Sequence, residues 1–80
     1  MKVNLYTTLG CHLCEQAHAL LMALQQEGMA IEIDSIEIAD SDELMEQYGI
    51  RIPVITLASD EEAREIGWPF TLDELRAFLV

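Results

Sequence analysis

The apolar residues change their spacing at Gly10, and that change limits what the chain can become. Upstream, Val3 and Leu5 alternate with Lys2, Asn4 and Tyr6, the period of a strand over residues 2–6. Downstream, from Cys11 to about Gln26, Leu13, Ala17, Leu20, Leu21 and Leu24 recur at helical spacing, and Gly28 supplies a stop. Ile31-Glu32-Ile33 alternates again. Ile36-Glu37-Ile38 continues on shifted phase, so a bulge or an early strand end is expected at Asp34-Ser35. Two strands joined through a helix predict a right-handed parallel βαβ unit.

Asp40 or Ser41 is placed to cap a second, short helix. Asp40-x-x-Glu43 matches a capping box, and Asp42 and Glu43 suit the positive end of the helix dipole. Leu44 and Tyr48 share one face of it, and Gly49 ends it. Pro53 opens a third strand over residues 54–57; Ser59-Asp60 then turns the chain into a weaker strand near 63–66. Thr71-x-x-Glu74 is a second capping box, ahead of Leu72, Leu75, Phe78 and Leu79 on one helical face. Trp68 reads as closing the lower core, and Met22, Met29 and Met45 as packing. The order is βαβαββα. At 80 residues the chain holds one domain, residues 1–80, and one modest core, which the 51% hydrophobic fraction is sufficient to fill. The parallel unit and the terminal hairpin must therefore share a sheet: an α/β domain with a four-stranded mixed sheet flanked by helices.

The charge is strongly one-sided: 15 Asp and Glu against four basic residues, a formal net charge of −11. Lys2, Arg51, Arg64 and Arg76 form no stripe, so nucleic acid and anionic membrane are excluded as partners by repulsion. The acidic stretches 40–46 and 60–65 read as a solvated face and turn, with a docking surface for a basic partner as the alternative. No segment reaches the ~18–20 apolar residues of a membrane span. The N-terminus carries one Lys and no apolar signal core, so a mature cytoplasmic start is expected, and a monomer.

Two cysteines are too few for a disulfide-stapled scaffold, and Cys11 and Cys14 are so close that a bond between them closes almost no loop. The pair is there for chemistry or for metal. Cys11 falls at the predicted helix cap, exposed, where unpaired N–H groups and the helix dipole favour thiolate over thiol. Cys14 lies in the first turn on the same side, placed to attack a mixed disulfide formed at Cys11. Cys11 is therefore the expected nucleophile and Cys14 the resolving thiol. Protonated His12 adds to the activation, as a solvent-facing tuning residue rather than a general base; Glu15 opposes it. The Cys11 pKa is expected to fall from ~8.5 to between about 6 and 7.5. His18 reads as an ordinary helix-surface residue.

The run Leu5-Tyr6-Thr7-Thr8-Leu9-Gly10-Cys11-His12-Leu13-Cys14, followed later by Arg51-Ile52-Pro53-Val54, resembles the glutaredoxins, and more narrowly the short glutaredoxin-like proteins of bacteria. The resemblance spans essentially the whole chain. It implies the thioredoxin fold, exchange of dithiol for disulfide, and a part in cellular redox homeostasis. It implies further that Pro53 follows a cis bond beside the cysteines, that Ile52 offers its backbone to substrate, and that Tyr6 lines the substrate groove. Arg51 is the candidate partner for a substrate carboxylate.

The chain also departs from that pattern. His12-Leu13 replaces the usual Pro-Tyr, and Thr7, Thr8 and Leu9 stand where a Lys is common. Glu65-Ile66-Gly67-Trp68-Pro69-Phe70-Thr71 occupies the place of the Gly-Gly turn and Asp-rich cap that hold glutathione. Glutathione stays open as a ligand with these departures counting against it. No bound cofactor is expected, and no metal; the substrate is a disulfide-containing protein or small thiol, recycled by a cellular reductant. Two other classes stay open: a thioredoxin-fold adaptor without turnover, and a metal or iron–sulfur carrier using the same cysteines. Because glutathione is anionic, the acidity favours a protein thiol or a basic partner.

Overall fold

A computed structural model describes residues 1–58 and 64–80. The elements are β1 (Lys2–Thr7), α1 (His12–Gln26), β2 (Glu32–Glu37), a 3₁₀ turn (Ile38–Asp40), α2 (Asp42–Tyr48), β3 (Val54–Leu57), β4 (Glu65–Gly67) and α3 (Leu72–Leu79). The four strands form one sheet in the order β2-β1-β3-β4. β1 and β2 are parallel, while β3 is antiparallel to both β1 and β4. The expected mixed α/β sheet is present.

The sheet is covered on both faces. Val3, Leu5 and Ile55 point to one side, where Ala17, Leu21 and Leu24 of α1 and Leu75 and Leu79 of α3 complete the larger core with Phe70. Tyr6 and Val54 point to the other, against Ile38, Tyr48, Leu44 and Ile52 around α2. Trp68 packs on the larger core and meets Phe70 edge to face at 5.1 Å, so it closes that core as expected.

Two-sided covering explains the phase slip in β2. The strand is continuous in register from Lys2↔Glu32 to Thr7↔Glu37, with no bulge at Asp34-Ser35. Ile33 pairs with Val3 and joins the α1 side, whereas Ile36 pairs with Tyr6 on the α2 side. The apolar residues change face because both faces need covering.

The second helix is capped by Ser41, whose hydroxyl accepts from Leu44 N–H at 3.3 Å. Asp40 belongs to the 3₁₀ turn, so the expected Asp40–Glu43 box does not form. Met22 and Met45 are half-exposed rather than packed; Met29 alone of the three joins the core. The turn expected at Ser59-Asp60 and the start of the last strand at Ala63 lie outside the described residues, and β4 begins at Glu65.

The box at the start of α3 is complete: Thr71 Oγ1 accepts from Glu74 N–H at 3.1 Å, and Glu74 Oε1 accepts from Thr71 N–H at 2.9 Å. Thr71→Ala is expected to cost about 1 kcal/mol and lower the thermal midpoint by about 4–8 °C, read by circular dichroism. An unchanged midpoint would show that core packing alone holds α3.

Candidate functional site

The registers bring four strand ends to one edge of the sheet. Tyr6 pairs with Val54, Val54 with Gly67, and Thr7 with Glu37. The chain leaves β1 there, passes through Thr8-Leu9-Gly10, and enters α1 at Cys11. Gly10 has φ 84°, a left-handed backbone that costs an L-residue roughly 1–2 kcal/mol, so only glycine makes this approach without strain.

Cys11 is the N-cap of α1, with extended backbone, and its Sγ accepts a hydrogen bond from Cys14 N–H at 3.2 Å. The sulfur thus takes the place that a hydroxyl or carboxylate oxygen fills in an ordinary cap. Negative charge on that sulfur is stabilised by the same N–H and by the helix dipole. The two cysteine sulfurs are bonded, with Cα atoms 5.2 Å apart. Cys14 is buried, 3% exposed, and Cys11 is half-buried rather than exposed. Of the two sulfur-bearing residues, Cys11 is thus the more accessible.

His12 projects into solvent, 92% exposed, with Nδ1 3.6 Å from Glu15 Oε2. Its charge, when present, is shared with that carboxylate. His18 is half-buried on α1 and lines a cavity of about 230 Å³ with Leu5, Thr7, Cys14, Glu15 and Ser35. A second groove, about 270 Å³, lies beside Cys11 and is lined by Thr7, Thr8, Leu9, Gly10, Glu15 and Glu37.

Ile52–Pro53 is a cis bond, and Pro53 is fully buried. Pro53 directly precedes Val54, which pairs with Tyr6, so it lies at the cysteine end of the sheet. Ile52 N–H donates to Tyr48 O at 3.2 Å, so that half of its backbone is engaged within the protein. Pro53 O accepts from Trp68 N–H at 3.1 Å, so the end of β4 closes against the same loop. Trp68–Pro69 is cis as well, which the sequence reading did not anticipate.

Tyr6 and Arg51 are both engaged within the protein. The Tyr6 ring stacks on Tyr48 with centroids 4.2 Å apart. Burial pushes the Tyr48 phenol above its usual value, and the neighbouring Tyr6 adds to the effect. Arg51 lies over the Tyr48 ring at 5.2 Å, donates Nε to Gln47 O at 3.2 Å, and forms an ion pair with Glu65. Hydrogen bonding to Glu65 holds the guanidinium still more firmly protonated. Arg51 is thus a tie between α2 and β4.

Glu37 is the residue that sequence reasoning missed. Its Oε1 accepts from Leu9 N–H at 2.9 Å and its Oε2 from Ala39 N–H at 3.2 Å. The available signal was its place: a polar residue at the carboxyl end of a strand in a parallel pair, where α/β sheets build their sites.

Lys2, Arg51 and Arg76 each pair with a carboxylate, so they offer little positive field to an anion. Among the described residues no group of three His, Cys, Asp or Glu side chains comes together as a metal site. No helix of the described residues is long and apolar enough to cross a membrane.

The model of the glutaredoxin-like domain (DUF836) matches residues 2–80. Among solved structures, the crystal structure of the structural-genomics target protein XcR50 from X. campestris is 39% identical, with a TM-score of 0.76 over 96% of this chain and 93% of that one. The solution structure of XcR50 gives a TM-score of 0.74 over 99% and 92%. Thioredoxin 1 from Thermosipho africanus is 18% identical with a TM-score of 0.59, covering 99% of this chain and 94% of that one; the likeness extends to the fold. The search of curated proteins finds no match.

Proposed function

The chain belongs to the glutaredoxin-like domain family, with the thioredoxin fold, and from that premise we propose that it is a thiol–disulfide oxidoreductase acting on protein disulfides. The observation that carries this reading is the cap of α1, where Cys11 Sγ receives the Cys14 N–H and the Cys14 sulfur sits bonded behind it.

The reaction runs in two exchanges. Cys11 thiolate attacks one sulfur of the substrate disulfide, forming a mixed disulfide and expelling the other sulfur as thiolate. Cys14, deprotonated, then attacks Cys11 Sγ and expels the second substrate sulfur. Two electrons pass to the substrate, and the Cys11–Cys14 disulfide remains. A cellular thiol or reductase of lower potential returns it to the dithiol; no bound cofactor takes part. The cytoplasm, where thiols are kept reduced, is the compartment that suits this reading.

Among the described residues, the groove beside Cys11 carries Glu15 and Glu37 and no basic side chain. A substrate with cationic residues flanking its cystine suits it, and anionic glutathione does not. The test compares turnover of a basic protein disulfide with that of a glutathione mixed disulfide, on protein first checked for metal content and colour. The protein disulfide is expected to turn over faster, and its rate to fall several-fold as salt rises from about 20 mM to about 200 mM. Preference for glutathione with no salt dependence would reject the substrate assignment. Stoichiometric metal without turnover would favour a carrier, and neither activity nor metal an adaptor.

A further inference from the structure

We propose that Glu37 is a positioning residue for Cys11, acting through the loop that carries the cysteine. Glu37 ends β2 directly across from Thr7, the last residue of β1, so its carboxylate stands where the chain leaves the sheet for Cys11. The Thr8-Leu9-Gly10 segment has little to hold it by packing. Leu9 is 94% exposed and Gly10 is exposed with an unusual φ. Its order comes from polar contacts instead: Cys11 N–H to Thr8 O at 3.2 Å within the loop, and Leu9 N–H to Glu37 Oε1 at 2.9 Å across to β2.

The other carboxylate oxygen takes Ala39 N–H at 3.2 Å in the turn that leads to α2. One side chain therefore ties the cysteine loop to the far end of the βαβ unit. The Ala39 N–H is the main cause of a carboxyl held below its ordinary range, with Leu9 N–H and the Thr8 hydroxyl adding to it against desolvation. The clamp is ionised throughout neutral pH.

Glu37 also lines the groove beside Cys11, together with Glu15 of α1, which is itself paired with His12. Two roles with opposite signs follow. As a bare charge, the carboxylate opposes the thiolate, and removing it should speed alkylation of Cys11. As a clamp, it keeps Cys11 Sγ on the Cys14 N–H, and removing it should slow alkylation.

The inference rests on Cys11 as the nucleophile, but it is read on reduced protein with iodoacetamide and requires no turnover. A wild type without turnover would sink the oxidoreductase reading alone. In a Cys14→Ser background, alkylation is followed across pH for Glu37, Glu37→Gln and Glu37→Ala, with unfolding midpoints recorded alongside. Glu37→Ala is expected to raise the thiol pKa by roughly half a unit and to cut the rate near pH 6.5 about threefold. Glu37→Gln keeps an oxygen for Leu9 N–H and loses the charge, so it should alkylate at least as fast as the parent. An Ala rate equal to or above the parent's overturns the proposal. So does slowing that Gln fails to reverse. Should the Ala variant misfold, the Gln comparison still decides, because a slower Gln variant contradicts the clamp.

Discussion

Cys11→Ser is expected to stop disulfide turnover, lowering it to the background exchange rate, a loss on the order of 10³-fold or more. Cys14→Ser is expected to do something different. It should accumulate a mixed disulfide between Cys11 and the substrate, visible as an adduct by intact mass. The reason lies in which atoms each cysteine contributes. Activation of Cys11 uses the backbone N–H of residue 14, 3.2 Å from Cys11 Sγ, and a serine keeps that N–H. The Cys14→Ser protein should therefore retain a Cys11 thiol with an apparent pKa below the ~8.5 of a free thiol. Cys14, only 3% exposed, should alkylate slowly when left alone in Cys11→Ser. Retention of turnover by both variants would reject the two-step exchange, and an adduct on Cys14 rather than Cys11 would reverse the roles.

What the chain discloses in advance depends on how local the determining contact is. The α1 helix was legible because the apolar spacing, the glycine stop and the cysteine cap all lie within or next to its own residues. The box at Thr71 and Glu74 was legible for the same reason. The contacts that shape the site are less visible because they join residues far apart in sequence. Arg51 reads as an anion receptor, and nothing in its own neighbourhood announces the ion pair it makes with Glu65 of β4. Tyr6 reads as a groove wall, and its stacking on Tyr48 of α2 is a contact that only the fold discloses. Glu37 is marked only by its place at the end of β2; it gains a partner when parallel pairing with β1 brings Leu9 N–H within reach. In β2 the local pattern misleads. A phase change means a bulge in a sheet covered on one face, but here it serves two covered faces. At α2 the rule named two candidate caps, and the 3₁₀ turn of Ile38–Asp40 leaves Ser41 the one free to bond Leu44.

Leu21→Ala should have the largest effect on stability while leaving the cysteine chemistry intact below the transition. Leu21 is fully buried on α1, in the cluster with Val3, Leu5, Leu24, Ile55 and Leu75. Truncation removes apolar contact and leaves a cavity that a helix pinned on both sides by Ala17 and Leu24 has little freedom to close. Such changes cost roughly 3–5 kcal/mol. An 80-residue domain has only about 4–12 kcal/mol in total, at ~0.05–0.15 per residue, so the loss is a large part of it. At about 4–8 °C per kcal/mol, the thermal midpoint should fall by at least about 12 °C. Leu9→Ala is the control: at 94% exposed it should stay within ~0.5 kcal/mol of the parent. The cysteines ride on the first turn of the same helix, and their activation comes from the Cys11 cap rather than from Leu21. Alkylation of Cys11 well below the midpoint should therefore remain within about twofold of the parent, because the cap bond is made locally. Heating should then abolish turnover at the lowered midpoint, together with the loss of helical signal. A Leu21→Ala protein melting within a degree or two of the parent would contradict the placement of α1 on the sheet. Slowed alkylation at low temperature would instead show that core packing, beyond the cap, tunes the thiol.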